Sequence, residues 1–245
     1  EQFQKAHQLF KKLGEKKKVA SLQHAMAIIY TKLYMYEAAV ENYTNSISVN
    51  RELKDSTSLC MSIESLGNLY ARMGEHTKSK KYLKEALVIA RAEKRPHGIA
   101  SVVSNLGHLY NKIGEHQTAL TYHKETLALR KNMDNKRQVI LGFLAIGETY
   151  EKLGNLSFAQ KYLLEGLALA EKIKLKPLLV NFYKKLAQLY EKTGDTKNAY
   201  VNLKQYESLK DSLLNEEKNK QLVEMETKYD VEQKEQEIMI LAIEY

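Results

Sequence analysis

Histidine is the residue type whose spacing first suggests chemistry in this chain. Seven histidines are present, and His76 and His116 each follow a Gly-Glu pair, with His108 near the second. Imidazole nitrogens bind transition metals and exchange protons near neutral pH. A metal site normally combines His with Cys or carboxylates at short spacing, and no such grouping occurs here. We therefore predict turn and surface histidines, no metal and no cofactor.

Nucleophilic catalysis also finds little support. Cys60 is the single cysteine, so the chain has no internal disulfide. No histidine stands beside it in the sequence, which favours a buried or half-buried structural thiol over a nucleophile. A Gly-rich phosphate loop, a Gly-x-Ser-x-Gly elbow and a His-Glu-x-x-His motif are all absent. The sequence predicts no catalytic residue and no enzyme activity.

One column of cations could suggest a track for phosphates. It consists of Lys32, Arg72, Lys112, Lys152 and Lys192. Cations near the C-terminus of a helix also interact favourably with the helix dipole. A nucleic-acid surface would need exposed aromatic side chains between the cations, whereas the tyrosines here fall in core columns. We favour the structural interpretation and keep a basic nucleic-acid-binding solenoid as the weaker alternative.

The elements that position these residues follow from an internal repeat of about 40 residues. Four columns share this spacing: Tyr30, Tyr70, Tyr110, Tyr150 and Tyr190; Gly74, Gly114, Gly154 and Gly194; Gly67, Gly107 and Gly147; and Ala39, Ala119, Ala159 and Ala199, broken only by Ser79. Coincident columns at one spacing identify a repeat protein. Glycine and alanine in mid-helix columns indicate that two helices approach too closely for a larger side chain.

Each unit is predicted to consist of two helices. Ile63, Leu66, Leu69 and Tyr70 have the spacing of an amphipathic helix, and Gly74 then ends it. The second helix buries a stripe at Tyr82, Leu83, Ala86, Leu87 and Ile89. Later units open near Pro96 and Pro177, since proline is tolerated in a first turn, while Asp55 and Asp134 are predicted N-caps.

Four segments resemble the tetratricopeptide repeat: SLGNLY (65–70), NLGHLY (105–110), AIGETY (145–150) and KLAQLY (185–190). Each is followed by a Gly of the columns above and then by an Ala, except that Ser79 takes the Ala position after the first segment. The repeat of that family usually has about 34 residues. The repeat of this chain has about 40 residues, so the chain resembles the variants with longer helices. The resemblance implies an all-α fold, a right-handed α-α superhelix with a long C-terminal helix. We predict the second helix of a truncated repeat at 1–19, five units over 20–214, beginning at about Ala20, Cys60, Ala100, Ile140 and Val180, and a charged connector or coiled-coil helix at 215–245.

The resemblance also implies a groove, lined by the first helix of each unit, that holds a peptide or protein segment. The groove positions carried over from the family are Met61, Glu64, Asn68, Ser101, Ser104, Asn105, His108, Asn111, Leu141, Leu144, Glu148, Lys184 and Gln188. Asn68 and Asn105 match the two asparagines of the family's carboxylate clamp. Glu64 replaces its first lysine, and Leu141 and Ala145 replace later cations, so a clamp for a C-terminal carboxylate is not expected.

The C-terminal part differs from the repeats in charge. Residues 207–245 hold 11 acidic and 5 basic side chains, whereas the whole chain has a net charge of +8. Neither Gly nor Pro follows Thr196, which predicts one long helix or two with a break near Asn215. Leu222, Met225, Tyr229, Glu232, Gln236, Met239 and Ile243 follow a three-and-four spacing. This helix either caps the solenoid or forms a parallel dimer, and the apolar end at 238–243 favours the dimer.

We interpret the chain as a protein- or peptide-binding scaffold. The array with its long charged helix (211–238) resembles the sensory part of bacterial histidine kinases and related regulators. That resemblance implies that the chain is a fragment of a signalling protein and lies outside the cytoplasm. It also implies that a segment beyond this chain attaches the protein to a membrane, and that any kinase activity belongs to a region beyond this chain. A free-standing cytoplasmic adaptor is the alternative.

Overall fold

A computed structural model describes residues 2–244, with side chains described for residue 5 and for residues 8–235. Within that range the chain forms eleven α-helices and no strand. The helices are α1 Gln2–Lys12, α2 Lys16–Lys32, α3 Tyr36–Glu52, α4 Ser56–Met73, α5 His76–Ala92, α6 Pro96–Lys112, α7 His116–Asn132, α8 Lys136–Lys152, α9 Leu156–Lys172, α10 Lys176–Lys192 and α11 Thr196–Glu244. The even-numbered helices from α2 to α10 are the first helices of the pairs, and each begins four residues before the predicted start of its unit.

The chain divides into two compact units, residues 1–159 and residues 160–245. In the first unit each helix from α1 to α7 packs against the next one along the chain. In addition, the first helices contact one another directly, α2 with α4 and α4 with α6. In the second unit α10 packs against α11. The first helices α2, α4 and α6 therefore form one continuous layer.

The core of the first unit lies between the two helices of each pair and between neighbouring pairs. Ile63, Leu66 and Leu69 of α4 are buried in the same cluster as Leu83 and Leu87 of α5. Burying one such side chain fully contributes about 1.5–3 kcal/mol. The amphipathic stripes predicted for the two helices of this repeat, α4 and α5, are confirmed.

The predicted glycine turn is also confirmed. Gly74 follows α4 in the left-handed region with φ of 83°, and its amide donates to the carbonyl of Ala71. A second column in the same conformation was not visible in the sequence, because after Gly14 its members are Lys54, Lys94, Asp134 and Lys174. A non-glycine residue there costs roughly 1–2 kcal/mol. Each of the two turns in a repeat therefore contains one residue in the left-handed conformation.

The predicted caps and first turns are confirmed in three places and wrong in one. Asp55 caps α4 by accepting a hydrogen bond from the Ser58 amide, and Pro96 and Pro177 lie in the first turns of α6 and α10. Asp134 is not an N-cap, because it occupies the left-handed turn position with φ of 48°. The next residue, Asn135, caps α8 and accepts from the Gln138 amide at 3.1 Å.

The C-terminal segment forms one helix without a break near Asn215. Helix α11 runs for 49 residues, and the described side chains from residue 215 to residue 235 are all exposed. Lys176 of α10 forms an ion pair with Glu216 of α11. In the described part of the chain, no helix combines the length and the apolar character needed to cross a bilayer.

Ser79 leads to a first testable prediction. Its hydroxyl is fully buried on α5 and has no hydrogen-bond partner among the described residues. Ala39, Ala119 and Ala159 occupy the same column in other repeats. An unsatisfied buried polar group costs about 1–3 kcal/mol, and Ala is also the better helix former. We expect Ser79→Ala to raise the free energy of unfolding by about 1 kcal/mol, and the melting temperature by roughly 2–4 °C, in urea and thermal unfolding.

Ser21→Ala is the matched control, because Ser21 is exposed on α2 and its hydroxyl already donates to the carbonyl of Lys17. We expect a change within about 0.5 kcal/mol for that variant. Equal effects of the two substitutions, or destabilisation by Ser79→Ala, would show that the buried hydroxyl is satisfied in solution.

Candidate functional site

The candidate site is a surface on α4, α6 and α8 that we call the first-helix face. Its side chains are Met61, Glu64, Asn68, Ser101, Asn105, His108, Asn111, Leu141, Leu144 and Glu148. Met61, Ser101 and His108 are exposed, and the other seven are half-buried. All of them lie in the first unit, so ten of the predicted groove residues share one face of consecutive first helices.

Three of these residues bond to one another across the repeats. The carboxylate of Glu64 on α4 accepts hydrogen bonds from Ser101 Oγ at 2.5 Å and from Asn105 Nδ2 at 2.7 Å. Burial raises the pKa of Glu64, and these two hydrogen bonds act in the opposite direction. Glu64 thus fixes α4 against α6 and leaves less of the Asn105 amide for a ligand than the sequence suggested.

Asn111 has a structural role of the same kind. Its Nδ2 donates to Thr149 Oγ1 at 2.7 Å and lies 3.4 Å from His123 Nε2, and its Oδ1 accepts from His116 Nδ1 at 3.0 Å. An amide nitrogen only donates, so Nε2 of His123 must be unprotonated. Asn111 therefore joins α6, α7 and α8 and is a poor candidate for contact with a ligand.

His108 lies above a buried histidine that sequence reasoning missed. Its ring centroid is 4.9 Å from that of His123, which is only 1% exposed. Desolvation by the surrounding protein lowers the pKa of both rings, although part of the His108 side chain is exposed. Nearby Glu148 opposes the shift at His108, and for His123 the pKa falls to about 3. His108 thus presents a largely neutral imidazole to the surface at neutral pH. The signal for His123 was present in the repeat, where Tyr43, Leu83 and Leu163 occupy the same column.

Three predicted groove residues are not among these ten. Ser104 is only 7% exposed and is covered by its neighbours, so it does not line the face. Lys184 and Gln188 belong to the second unit, where they line a cavity of about 500 Å³ between α10 and α11 together with Tyr200 and Leu203. The structure therefore does not place them in one site with α4, α6 and α8.

Cys60 and Lys112, one member of the cationic column, both contact backbone carbonyl groups. The Cys60 thiol is buried 3.4 Å from the carbonyl oxygen of Ala86, and burial raises its pKa, which disfavours the reactive thiolate. Lys112 Nζ donates to the carbonyl oxygen of Ala71 at 2.5 Å, near the end of the preceding first helix. Among the described residues no group of three or more His, Cys, Asp or Glu side chains is arranged to hold a metal ion.

Comparisons with known proteins agree with this architecture. Residues 57–132 match a family model described as tetratricopeptide repeat, and residues 2–70 match a model described as anaphase-promoting complex subunit 5. A comparison with curated protein sequences finds no match. Together the two family models cover the seven helices from α1 to α7.

Several solved structures share the fold at low sequence identity. BtubC (BKLC) from P. vanneervenii is 18% identical with a TM-score of 0.73, over 86% of this chain and 87% of that one. A putative kinesin light chain from Podospora anserina with nearly identical TPR-like repeats is also 18% identical, with a TM-score of 0.69 over 81% and 97% of the two chains. A Rap protein complexed with Competence and Sporulation Factor is 14% identical, with a TM-score of 0.62 over 87% and 70%.

Residues 57–132 therefore carry tetratricopeptide repeats. The chain has the all-α fold of a tetratricopeptide-type solenoid, as its sequence predicts. At these identities the solved structures establish the fold.

Proposed function

We propose that the chain is a protein- or peptide-binding scaffold and that the first-helix face holds a segment of the partner. The observation that carries this proposal is that an accessible face on packed helices combines apolar side chains with hydrogen-bonding groups. Met61 is 49% exposed although its neighbours Ser62 and Ile63 are buried, and amide, hydroxyl and imidazole groups follow on α4 and α6. Leu141 and Leu144 add half-buried apolar surface on α8. Solenoids use such extended faces to bind partners.

Two further observations support a binding role. A Rap protein of the same fold has been solved in complex with Competence and Sporulation Factor, which shows that this architecture accommodates a ligand. In addition, the Glu64, Ser101 and Asn105 contacts hold the first helices in a fixed register before any partner arrives. Binding to a pre-organised surface avoids part of the ordering cost of association.

The proposal predicts a face-specific loss of binding. A peptide is first selected from a random displayed library on the purified chain, and its affinity is measured by titration calorimetry. We expect the double substitution Asn68→Arg with His108→Arg to weaken binding at least tenfold, because two large cations would occupy the face. Neither side chain belongs to the Glu64 contacts, so we expect helicity and the melting temperature to stay close to the original values.

The matched control places arginine on a second helix. Val88 is 70% exposed on α5, and we expect Val88→Arg to leave the affinity unchanged. Loss of binding in Val88→Arg with retention in the double variant would move the site to the second helices and refute the proposal.

A dimer formed through α11 is a second candidate property, favoured by a specific feature of that helix. Leu222, Met225 and Tyr229 are 54%, 67% and 62% exposed at a three-and-four spacing. The remaining apolar seam positions at 239 and 243 lie outside the described side chains. Pairing of two such helices would cover this stripe. Sedimentation equilibrium that fits a monomer at high protein concentration would exclude it.

The role as the sensory part of a signalling protein, such as a histidine kinase, stays a prediction. A coding sequence that continues into a kinase or DNA-binding region would support it, and a stop codon close after Tyr245 would favour the adaptor.

A further inference from the structure

A small polar cavity beside the first-helix face contains an arginine that the fold does not require. The cavity measures about 230 Å³, and its polar lining consists of His97, Ser101, Arg130, Asn135 and Gln138. We call it the Arg130 pocket. It lies entirely in the first unit, and Ser101 belongs both to it and to the first-helix face.

The repeat itself shows that Arg130 is not a packing residue. The same position near the C-terminus of the second helix holds Asn50, Ala90 and Ala170 in the other units, which are 2%, 2% and 0% exposed. A small side chain is therefore sufficient for the helix pair. At Arg130 burial lowers the pKa of the guanidinium, which means that its surroundings disfavour the charge. Arg130 therefore departs from the small residues of its column and carries a charge that its surroundings disfavour.

The N–H donors of the guanidinium also have few hydrogen-bond partners among the described residues. Its single hydrogen bond within the described residues runs from Nη1 to the carbonyl oxygen of Gln138 at 3.3 Å. Other arginines near the ends of second helices do have carboxylate partners, since Arg51 pairs with Glu85 and Arg91 with Glu125. A guanidinium carries five N–H donors in a planar fork, so most of its donors are available.

The position of the pocket adds to its preference for an anion. His97 is the second residue of α6, and Gln138 is the third residue of α8 beside the cap Asn135. The positive ends of two helix dipoles therefore lie next to the guanidinium. Charge also limits what can bind, because Glu64 is hydrogen-bonded to Ser101 at the edge of the pocket. One guanidinium with an acidic neighbour suits a single negative charge better than a phosphate dianion.

We propose that the Arg130 pocket binds a carboxylate through bidentate contact with the guanidinium, as planar forks bind carboxylates elsewhere. The carboxylate is the chain terminus or an acidic side chain of the segment on the first-helix face. The source of the carboxylate rests on the proposed function, whereas the pocket itself does not.

Small carboxylates test the pocket without any partner. The Arg130 Nε–Hε resonance and the Gln138 amide resonance are followed by NMR during titration with N-acetylglycine, which represents a chain terminus, and with N-acetylaspartic acid α-amide, which represents a side chain. N-acetylglycinamide, sodium chloride and inorganic phosphate are titrated in parallel at constant ionic strength. We expect saturable shifts with one or both carboxylates, dissociation constants in the millimolar range, and weaker or no binding of the other probes. The tighter of the two carboxylates identifies the source.

Arg130→Ala, which restores the residue found at positions 90 and 170, should keep the fold with an equal or higher melting temperature and abolish the carboxylate shift at the Gln138 amide. Arg137→Ala is the charge-matched control, because Arg137 is exposed on α8, and it should keep the shift. Absence of saturation, a tighter response to phosphate, a shift that survives in Arg130→Ala, or equal losses in both variants would overturn the inference. These results are independent of the peptide affinities of the Asn68 and His108 variants, so either proposal can fail alone.

Discussion

Replacing Gly107 by alanine is expected to destabilise the protein by about 2 kcal/mol, because the added methyl group would overpack a close helix contact. A Cβ atom at Gly107 would lie 2.6 Å from both Cε1 and Nδ1 of His123, which is closer than any tolerated contact. The imidazole cannot easily move aside, because it is 1% exposed and lies between His108 and Asn111. Overpacking of this kind costs roughly 1–3 kcal/mol, which exceeds the helix propensity that Ala would add. Urea unfolding measures the change directly.

Gly98→Ala in the same helix is the control. The nearest atom to a Cβ at Gly98 is 3.6 Å away on the Arg95 side chain, an ordinary contact. We expect this variant to be as stable as the original chain or slightly more stable. The double variant Gly107→Ala with His123→Ala should be less destabilised than the sum of its single changes, since the clash is removed. A stable Gly107→Ala variant, or strict additivity in the double variant, would show that the two helices are not in close contact at this point.

The second large effect is a loss of stability in mild acid caused by His123. Burial, aided by the neighbouring His108, Arg130 and Lys152, lowers the pKa of His123 to about 3, against about 6.5 in an unfolded chain. Below pH 6.5 the unfolded chain takes up a proton that the folded chain does not, so the free energy of unfolding falls as the pH falls toward 3. Between pH 7 and pH 5 this residue alone should remove about 2 kcal/mol.

His123→Leu isolates this contribution, because leucine is the fully buried residue at the equivalent positions Leu83 and Leu163. We expect the variant to lose about 2 kcal/mol less than the original chain between pH 7 and pH 5 in urea unfolding. His97→Gln changes an exposed histidine and should keep the original pH dependence. Parallel pH profiles for His123→Leu and the original chain would mean that His123 is protonated in the folded state.

Much of the fold was predictable from periodicity alone. The Gly107 column indicated a close approach of helices, and the structure shows the buried His123 ring at that point. The left-handed turns at Lys54, Lys94 and Lys174 were not predictable, because lysine carries no signal for that conformation. The assignment of Asp134 as a cap was wrong for a related reason, since aspartate suits both a cap and a left-handed turn.

The site was less predictable, because its contacts depend on groups a whole repeat apart. Family positions identified Glu64, Ser101 and Asn105 one by one, but their mutual hydrogen bonds require the packing of α4 on α6. Arg130 and His123 carried a signal of another kind, since each departs from the residues that its column holds in the other units. Departures from a repeat's own columns are therefore a signal that motif searches do not reveal.

Hydrogen exchange with a bound peptide tests the central claim most directly. The selected peptide is added to the full chain, and deuterium uptake is compared with and without it by mass spectrometry. We predict protection in segments of α4, α6 and α8, the helices that carry the first-helix face, with little change in α5 and in the part of α7 before Arg130. Protection confined to the second helices or to α11, with none on α4, α6 and α8, would contradict the assignment of the first-helix face as the binding surface.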